Sequence, residues 1–196
     1  MLRAPTLLAL AAAALTLEAP PAPALAQAAP APTEGAEPPA CAAAIALMDA
    51  MVEGFDGRVV LSDEAAEDLR PPGGADDDWR KDEPSAGLAE QSRRAAPVNA
   101  VASCPSLIAQ ARTRGYGVGA KAVEAMVGSR ERGRSGAEAG FILSIGLPVL
   151  SADGHEALAA AAMTCGSRCG AGVLYHLRQG KDGRWQVTDS VGLWIS

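Results

Sequence analysis

The spacing of apolar residues changes character near residue 140. From Phe141 the chain alternates: Phe141, Leu143, Ile145, Leu147 and Val149 share one side of "FILSIGLPVL" under the two-residue period of a strand. An Asp-Gly turn signal follows at Asp153-Gly154 and a second at Asp182-Gly183, each between two strand-like runs. A three-residue loop at 152–154 pairs Ser151 with His155. Counting outward, Val149 then faces Ala157, Leu147 faces Ala159, Ile145 faces Ala161 and Leu143 faces Met163. The second turn pairs Gly180 with Arg184, Gln179 with Trp185, Leu177 with Val187 and Val173 with Val191. Both hairpins put their apolar residues at odd numbers, so the pattern predicts four strands with one continuous apolar face. "EALAAAAMTC" alone reads as a helix by alanine propensity, and the flanking turns decide for strand.

The other face carries Ser144, Thr164, His176, Arg178, Gln186, Thr188 and Ser190 among some Ala and Leu, and is expected to be mixed and partly wet. His176 lies across the ladder from Thr188 and along it from Arg178. With no acid or base placed beside it by the pattern, the expectation is a surface histidine. These three and Gln186 form the candidate binding face.

Before residue 140 the period is helical. Cys41, Ile45, Met48 and Val52 make one stripe after Pro38-Pro39, and Leu107, Ile108 and Ala111 make another after Pro105, with Gly115 as a stop. "GAKAVEAMVGS" predicts a short third helix, and "GRVVLS" a strand. The segment of about 62–97 has little period, and "RPPGGADDDWRKDEPS" reads as a loop. Trp79 within it is either a partner contact or a residue folded back on the domain, the second being favoured. The fold class expected is α+β: an antiparallel four-stranded meander from about Ala139 to Ser196, its odd-numbered face covered by N-terminal helices.

The amino terminus does not belong to that fold. "MLRAPTLLALAAAALTLEAPPAPALAQA" has an early Arg3, an apolar run from Leu7 to Leu17 and A-x-A ends, the layout of a signal peptide over 1–28. The run is too short for an ordinary membrane span. A Pro/Ala-rich lead-in over 29–40 follows, expected to be disordered, then a single domain over 41–196 with a flexible acidic loop at about 62–97. The expectation is an exported bacterial protein, periplasmic or extracellular, with no membrane span after cleavage.

Export changes the reading of the cysteines. Cys41, Cys104, Cys165 and Cys169 are an even set, for which two disulfides are the default in an oxidising compartment. Three pairings exist. Cys165 and Cys169 are both odd-numbered and, with Gly166-Ser167-Arg168 as the connection, stand directly opposed, as a bridge pinning a tight turn requires. Cys41 and Cys104 each begin a helix on its apolar side, and a bridge joining those starts is the preferred second pair. Arg168 leaves a redox role for Cys165 and Cys169 open, although C-x-x-x-C in strand lacks the helix N-terminus that activates C-x-x-C thiols. A zinc site needs two more ligands, and His155 and His176 are at the wrong places.

A net charge of −6 excludes a nucleic-acid or anionic-membrane binder as the natural reading. Eleven acids against four bases lie between Glu53 and Glu83, and eight bases against two acids between Arg93 and Arg134. Two solvated faces are expected rather than a contact between these blocks. "GYGVGA" lacks a full nucleotide-loop pattern, and no nucleophile elbow or zinc-protease motif is present. In "DGHEA", His155 and Glu156 point to opposite faces of a strand. No cofactor is implied, and the sequence points away from an enzyme.

Pro148, Ser151, Asp153-Gly154, the run Cys165-Gly166, Cys169-Gly170 and Gly172, then Asp182-Gly183, Trp185 and the terminal Trp194-Ile195-Ser196 together resemble a type of small exported bacterial protein, uncharacterised, with a C-G-x-x-C-G-x-G hairpin and a W-I-S end. The likeness covers about a quarter of the chain. It implies an exported β-hairpin unit and no particular activity. The functional expectation is an exported, non-enzymatic binding or accessory module for an unknown protein or small ligand, with a thiol–disulfide protein using Cys165 and Cys169 as the alternative.

Overall fold

A computed structural model describes residues 37–64, 79–131, 140–166 and 169–196. The expected signal peptide, most of the expected lead-in and the "ADDD" part of the acidic loop lie outside them. Five helices and seven strands are described, so the chain is α+β. The helices are α1 (Ala40–Val52), α2 (Ala86–Arg94), α3 (Ala100–Ser103), α4 (Pro105–Thr113) and α5 (Ala120–Glu131). The strands are β1 (Val59–Leu61), β2 (Gly117–Val118), β3 (Phe141–Ile145), β4 (Val149–Leu150), β5 (Glu156–Gly166), β6 (Cys169–Gln179) and β7 (Trp185–Ile195).

The expected four-stranded antiparallel meander is corrected to one mixed, seven-stranded sheet of order β2-β1-β3-β5-β6-β7, with β4 also on β5. The antiparallel hairpins are its C-terminal part. β1 runs parallel to both β3 and β2, pairing Val59 with Phe141 and Val60 with Gly117. β1 lies in "GRVVLS", where a strand is expected, but strands of three and two residues are too short for a period to reveal their partners, so the parallel pairing is not legible in the pattern.

The register follows the count from the turns in part: near the second turn, and away from the first. Leu143 faces Met163 and Ile145 faces Ala161 as expected, and Gln179 faces Trp185 and Leu177 faces Val187. The expected continuous strand 141–149 breaks after Ile145. There the Leu147 N–H bonds the Val98 carbonyl at 2.7 Å rather than continuing the ladder, and Pro148 has no N–H to give. Val149 therefore pairs with Leu158, not Ala157, and the Ser151 N–H bonds the Glu156 carbonyl, one residue beyond the predicted partner. Bulges also shift β7 at two places. His176 pairs with Asp189 while Leu177 pairs with Val187, leaving Thr188 extra, and Gly172 pairs with Trp194 while Val173 pairs with Gly192, leaving Leu193 extra. Val191 accordingly faces Leu174 instead of Val173. The constant odd–even parity does not hold across the sheet, because a bulge adds one residue to one strand only.

The main core lies on the predicted odd face. Phe141, Leu143, Ile145, Ala157, Ala159, Ala161 and Leu177 pack against Leu47 and Met48 of α1 and Leu107 and Ala111 of α4. Alanines on β5 admit the helix side chains, which is why so few large residues suffice. The Cys41–Cys104 bridge, with Cα atoms 5.4 Å apart, joins α1 to the α3–α4 junction inside this core. The other face has a smaller core of Leu88, Leu158 and Leu174 with Trp79, Val149, Ala160 and Leu193 around it. It is covered by α2 and the stretch before it, so part of the predicted loop is a second layer on the sheet. No helix among the described residues is long and apolar enough to cross a membrane.

Candidate functional site

The β7 bulge positions the cluster around His176. Two consecutive residues, Thr188 and Asp189, stand where the ladder offers one place opposite His176. The Thr188 hydroxyl comes 3.4 Å from His176 Nδ1, while Asp189 reaches a different segment. Its Oδ2 accepts the backbone N–H groups of Arg80, Lys81 and Asp82 at 2.7, 2.6 and 3.0 Å. Three amides on one oxygen hold this carboxyl down at about 2, the Lys81 N–H contributing most, then that of Asp82. Residues 79–85 thereby form a strap laid over the sheet.

Beneath the strap the side chains close a network. His176 Nδ1 lies 2.9 Å from the Asp82 carbonyl and 3.3 Å from Asp82 Oδ2. A carbonyl oxygen only accepts, so Nδ1 carries the proton and donates. Arg178 bridges two acids, Nε to Asp82 Oδ2 at 2.5 Å and Nη1 to Glu156 Oε1 at 2.9 Å. Glu156 Oε2 in turn accepts the Ser85 N–H at 3.2 Å. Burial raises the Asp82 pKa, but hydrogen bonds from Arg178 and Thr188 and the charges of His176 and Arg178 outweigh it, and the net shift is downward. The Trp79 ring closes the top edge-on, 5.9 Å from the imidazole between centroids.

His176 is 0% exposed, which corrects the surface histidine expected from the sequence. His176, Arg178 and Thr188 are brought together as predicted positions on one face, but the chain's own residues 79–85 occupy that face. The arrangement is also wrong for a nucleophile–histidine–acid relay. Such a relay needs the hydroxyl on one ring nitrogen and the acid on the other. Here Thr188 and Asp82 both address Nδ1, while Nε2 has no hydrogen-bond partner and sits 3.9 Å from Glu156. The geometry serves as a latch. The roles of Asp82 and Asp189 escaped sequence reasoning because Asp82 and His176 are 94 positions apart and Arg80 and Asp189 are 109 apart, whereas Glu156 stands in register with Arg178 on the neighbouring strand.

The latch has a predictable pH response. Asp189 and Asp82 are depressed when folded, so their contribution is complete above the ordinary value of 3.8. It falls away as pH drops through the folded values, for Asp189 toward about 2. The amide resonances of Arg80, Lys81 and Asp82 are expected to move together on acidification from pH 5, in a step absent from Asp189→Asn. Amides that stay put across this range would show that Asp189 does not hold the strap.

The Cys165–Cys169 pair spans the β5–β6 turn with Cα atoms 5.2 Å apart. The cysteines are not directly opposed as predicted. Gly166 pairs with Cys169 and Thr164 with Gly170, so Cys165 is the extra residue of a bulge. Cys169 is exposed and Cys165 half-buried against the main core. The glycines after them have a separate purpose: a Cβ at Gly172 would fall on the Trp194 indole, and one at Gly170 would come 3.1 Å from the same ring. The C-G-x-G and W-I-S segments are thus two sides of one packing contact.

Comparison of the chain with protein-family profiles, curated proteins and solved structures gives no match. The site must be read from its own geometry.

Gln186, the fourth residue of the predicted face, pairs with Arg178 in register yet belongs to a different place. It lines an open groove of about 820 Å³ between the end of α1, the turn from α4 into β2, and the start of β7. Phe55, Tyr116 and Trp185 line it too, each half-buried, and the Phe55 ring is fixed against Phe141 at 4.4 Å between centroids. An Asp49 Oδ2–Arg114 Nη2 ion pair of 2.9 Å lies in the same groove. Asp49 Oδ1 is buried without a hydrogen-bond partner, and burial raises its carboxyl against the lowering effect of Arg114. Among the described residues no ion pair joins the acidic block to the basic block. Arg93 and Arg94 pair with Glu90 on their own helix, and Arg114 with Asp49.

Proposed function

We propose that the protein is an exported, non-enzymatic binding module whose ligand-facing surface is the groove between α1, the α4–β2 turn and β7. The observation that carries this reading is a contrast. The one histidine-centred polar cluster is shut beneath residues 79–85, whereas the groove stays open and combines aromatic with polar residues. A mixed lining of this kind is what small-ligand sites use: apolar surface for contact, a few polar groups for orientation. The signal-type leader over 1–28, the two cysteine pairs and the resemblance of the C-terminal hairpins to small exported bacterial proteins support the location.

The test is expression of the full chain in a bacterial host, followed by fractionation, N-terminal mass analysis and assay of the mature protein on hydrolase and oxidoreductase substrates. The expected product begins near residue 29, lies in the periplasm or medium, and turns over nothing. Turnover lost on His176→Ala would overturn the non-enzymatic reading. A thiol–disulfide role for Cys165 and Cys169 is the second reading, favoured by the exposure of Cys169 where the other bridge is buried.

A further inference from the structure

We infer that the groove is a saccharide site, its ligand a short neutral oligosaccharide held on Tyr116 and Trp185 and oriented by Asp49, Arg114 and Gln186. The inference rests on the binding-module reading and names the ligand class.

Charge narrows the choice first. Arg114 is already committed to Asp49, and Glu53 adds a further negative charge to the lining, so no free cation among the described lining residues receives an anionic ligand. A ligand cation is opposed at Asp49 by Arg114, 2.9 Å from its carboxylate, and is left only the exposed Glu53, where a surface ion pair is worth little. What remains is a neutral ligand. Chemistry narrows it further. Aromatic side chains offer rigid apolar surface at small cost in conformational freedom, and pyranose rings present apolar C–H faces that lie against such surface. Their equatorial hydroxyls each donate and accept. The planar polar groups of Asp, Arg and Gln meet vicinal hydroxyls in pairs, because a carboxylate offers two acceptors, a guanidinium a fork of donors, and an amide one of each. The unpartnered Asp49 Oδ1, whose ionised form suffers from burial, gains from any hydroxyl that donates to the carboxylate.

Shape agrees with more than one sugar unit. The groove volume of about 820 Å³ lies high in the range of roughly 300–1,000 Å³ typical of small-molecule sites. The groove is an open track along the surface rather than a closed cavity.

The experiment is titration of the mature protein with cellotetraose, maltotetraose and tri-N-acetylchitotriose at up to millimolar concentration, followed by amide NMR shifts and calorimetry. A tetralysine peptide serves as the cationic competitor. At least one saccharide is expected to bind, shifting Tyr116 and Trp185–Val187. Its affinity should fall at least tenfold in Gln186→Ala and in Arg114→Lys, which keeps the charge but loses the fork. Both positions are exposed, so these variants fold; Trp185→Ala, which trims the core as well, is the third variant. Absence of binding by all three saccharides overturns the inference. So does saccharide binding that Gln186→Ala and Arg114→Lys leave unchanged, or tetralysine binding in the groove in place of saccharide. Cleavage of a bound saccharide would instead retain the ligand class and sink the non-enzymatic reading, so the two failures are distinguishable.

Discussion

Replacing Cys41 and Cys104 together by alanine is expected to lower stability by about 4 kcal/mol, roughly twice the loss from the same change at Cys165 and Cys169. The first bridge spans 63 positions and the second four. In the chain-entropy account the constraint on the unfolded chain grows with the logarithm of loop length, giving about 4 and about 2 kcal/mol respectively. Environment widens the gap. Cys41 and Cys104 are 2% and 0% exposed among Leu47, Leu107 and Ala111, so their removal also disturbs packing between α1 and α4. Urea denaturation of the two double variants measures this directly. Equal losses would mean that the long bridge does not constrain the unfolded chain as its span requires. The same accessibility orders the bridges under a graded glutathione poise. A thiolate can reach the exposed Cys169, whereas the buried pair opens only when the core does. If Cys165–Cys169 opens at a mild potential, the redox reading gains over the binding reading; if it resists, the hairpin bridge is a structural pin.

Gly140→Ala should cost about 3 kcal/mol or more, the larger part from a backbone collision. Gly140 has φ of +81°, and a Cβ there would fall on the Arg58 carbonyl oxygen, the same oxygen that accepts the Phe141 N–H at 3.0 Å. This contact is where β1 and β3 come into parallel register, so a methyl group pushes apart the strands joining the two halves of the sheet. Gly154→Ala is the matched control. Its φ of +75° carries a similar conformational cost of about 1–2 kcal/mol, but no atom lies within 4 Å of the added Cβ. Thermal unfolding of the two variants separates conformational strain from collision. Equal shifts in Tm would show that β1 can move away from β3 without consequence.

What could be read in advance followed from short-range rules. The count from two Asp-Gly turns predicted Leu143–Met163 and Leu177–Val187, the first despite a one-residue slip beside its turn, and one alternation placed Leu143, Ala159 and Leu177 in the core. The helical stripes around Cys41 and Cys104 led to their pairing, because each cysteine sat on the buried side of its helix. The candidate site was legible only as a set of positions. His176, Arg178 and Thr188 do meet, but what they meet is the strap of residues 79–85, and Gln186 serves the groove instead.

The sequence by itself determined the hairpins, the buried face, the helices α1, α4 and α5 and the preferred cysteine pairs, since each depends on neighbours within a turn or one strand length. The tertiary structure alone decided the parallel pairing of β1, the bulge at Thr188 and the closing of the polar face. Strands of two and three residues carry too few positions to show a period, and a bulge is set by what the extra residue reaches, here Thr188 to His176 and Asp189 to the strap. The strap lies about half the chain away from Asp189, and only the folded chain brings the two together.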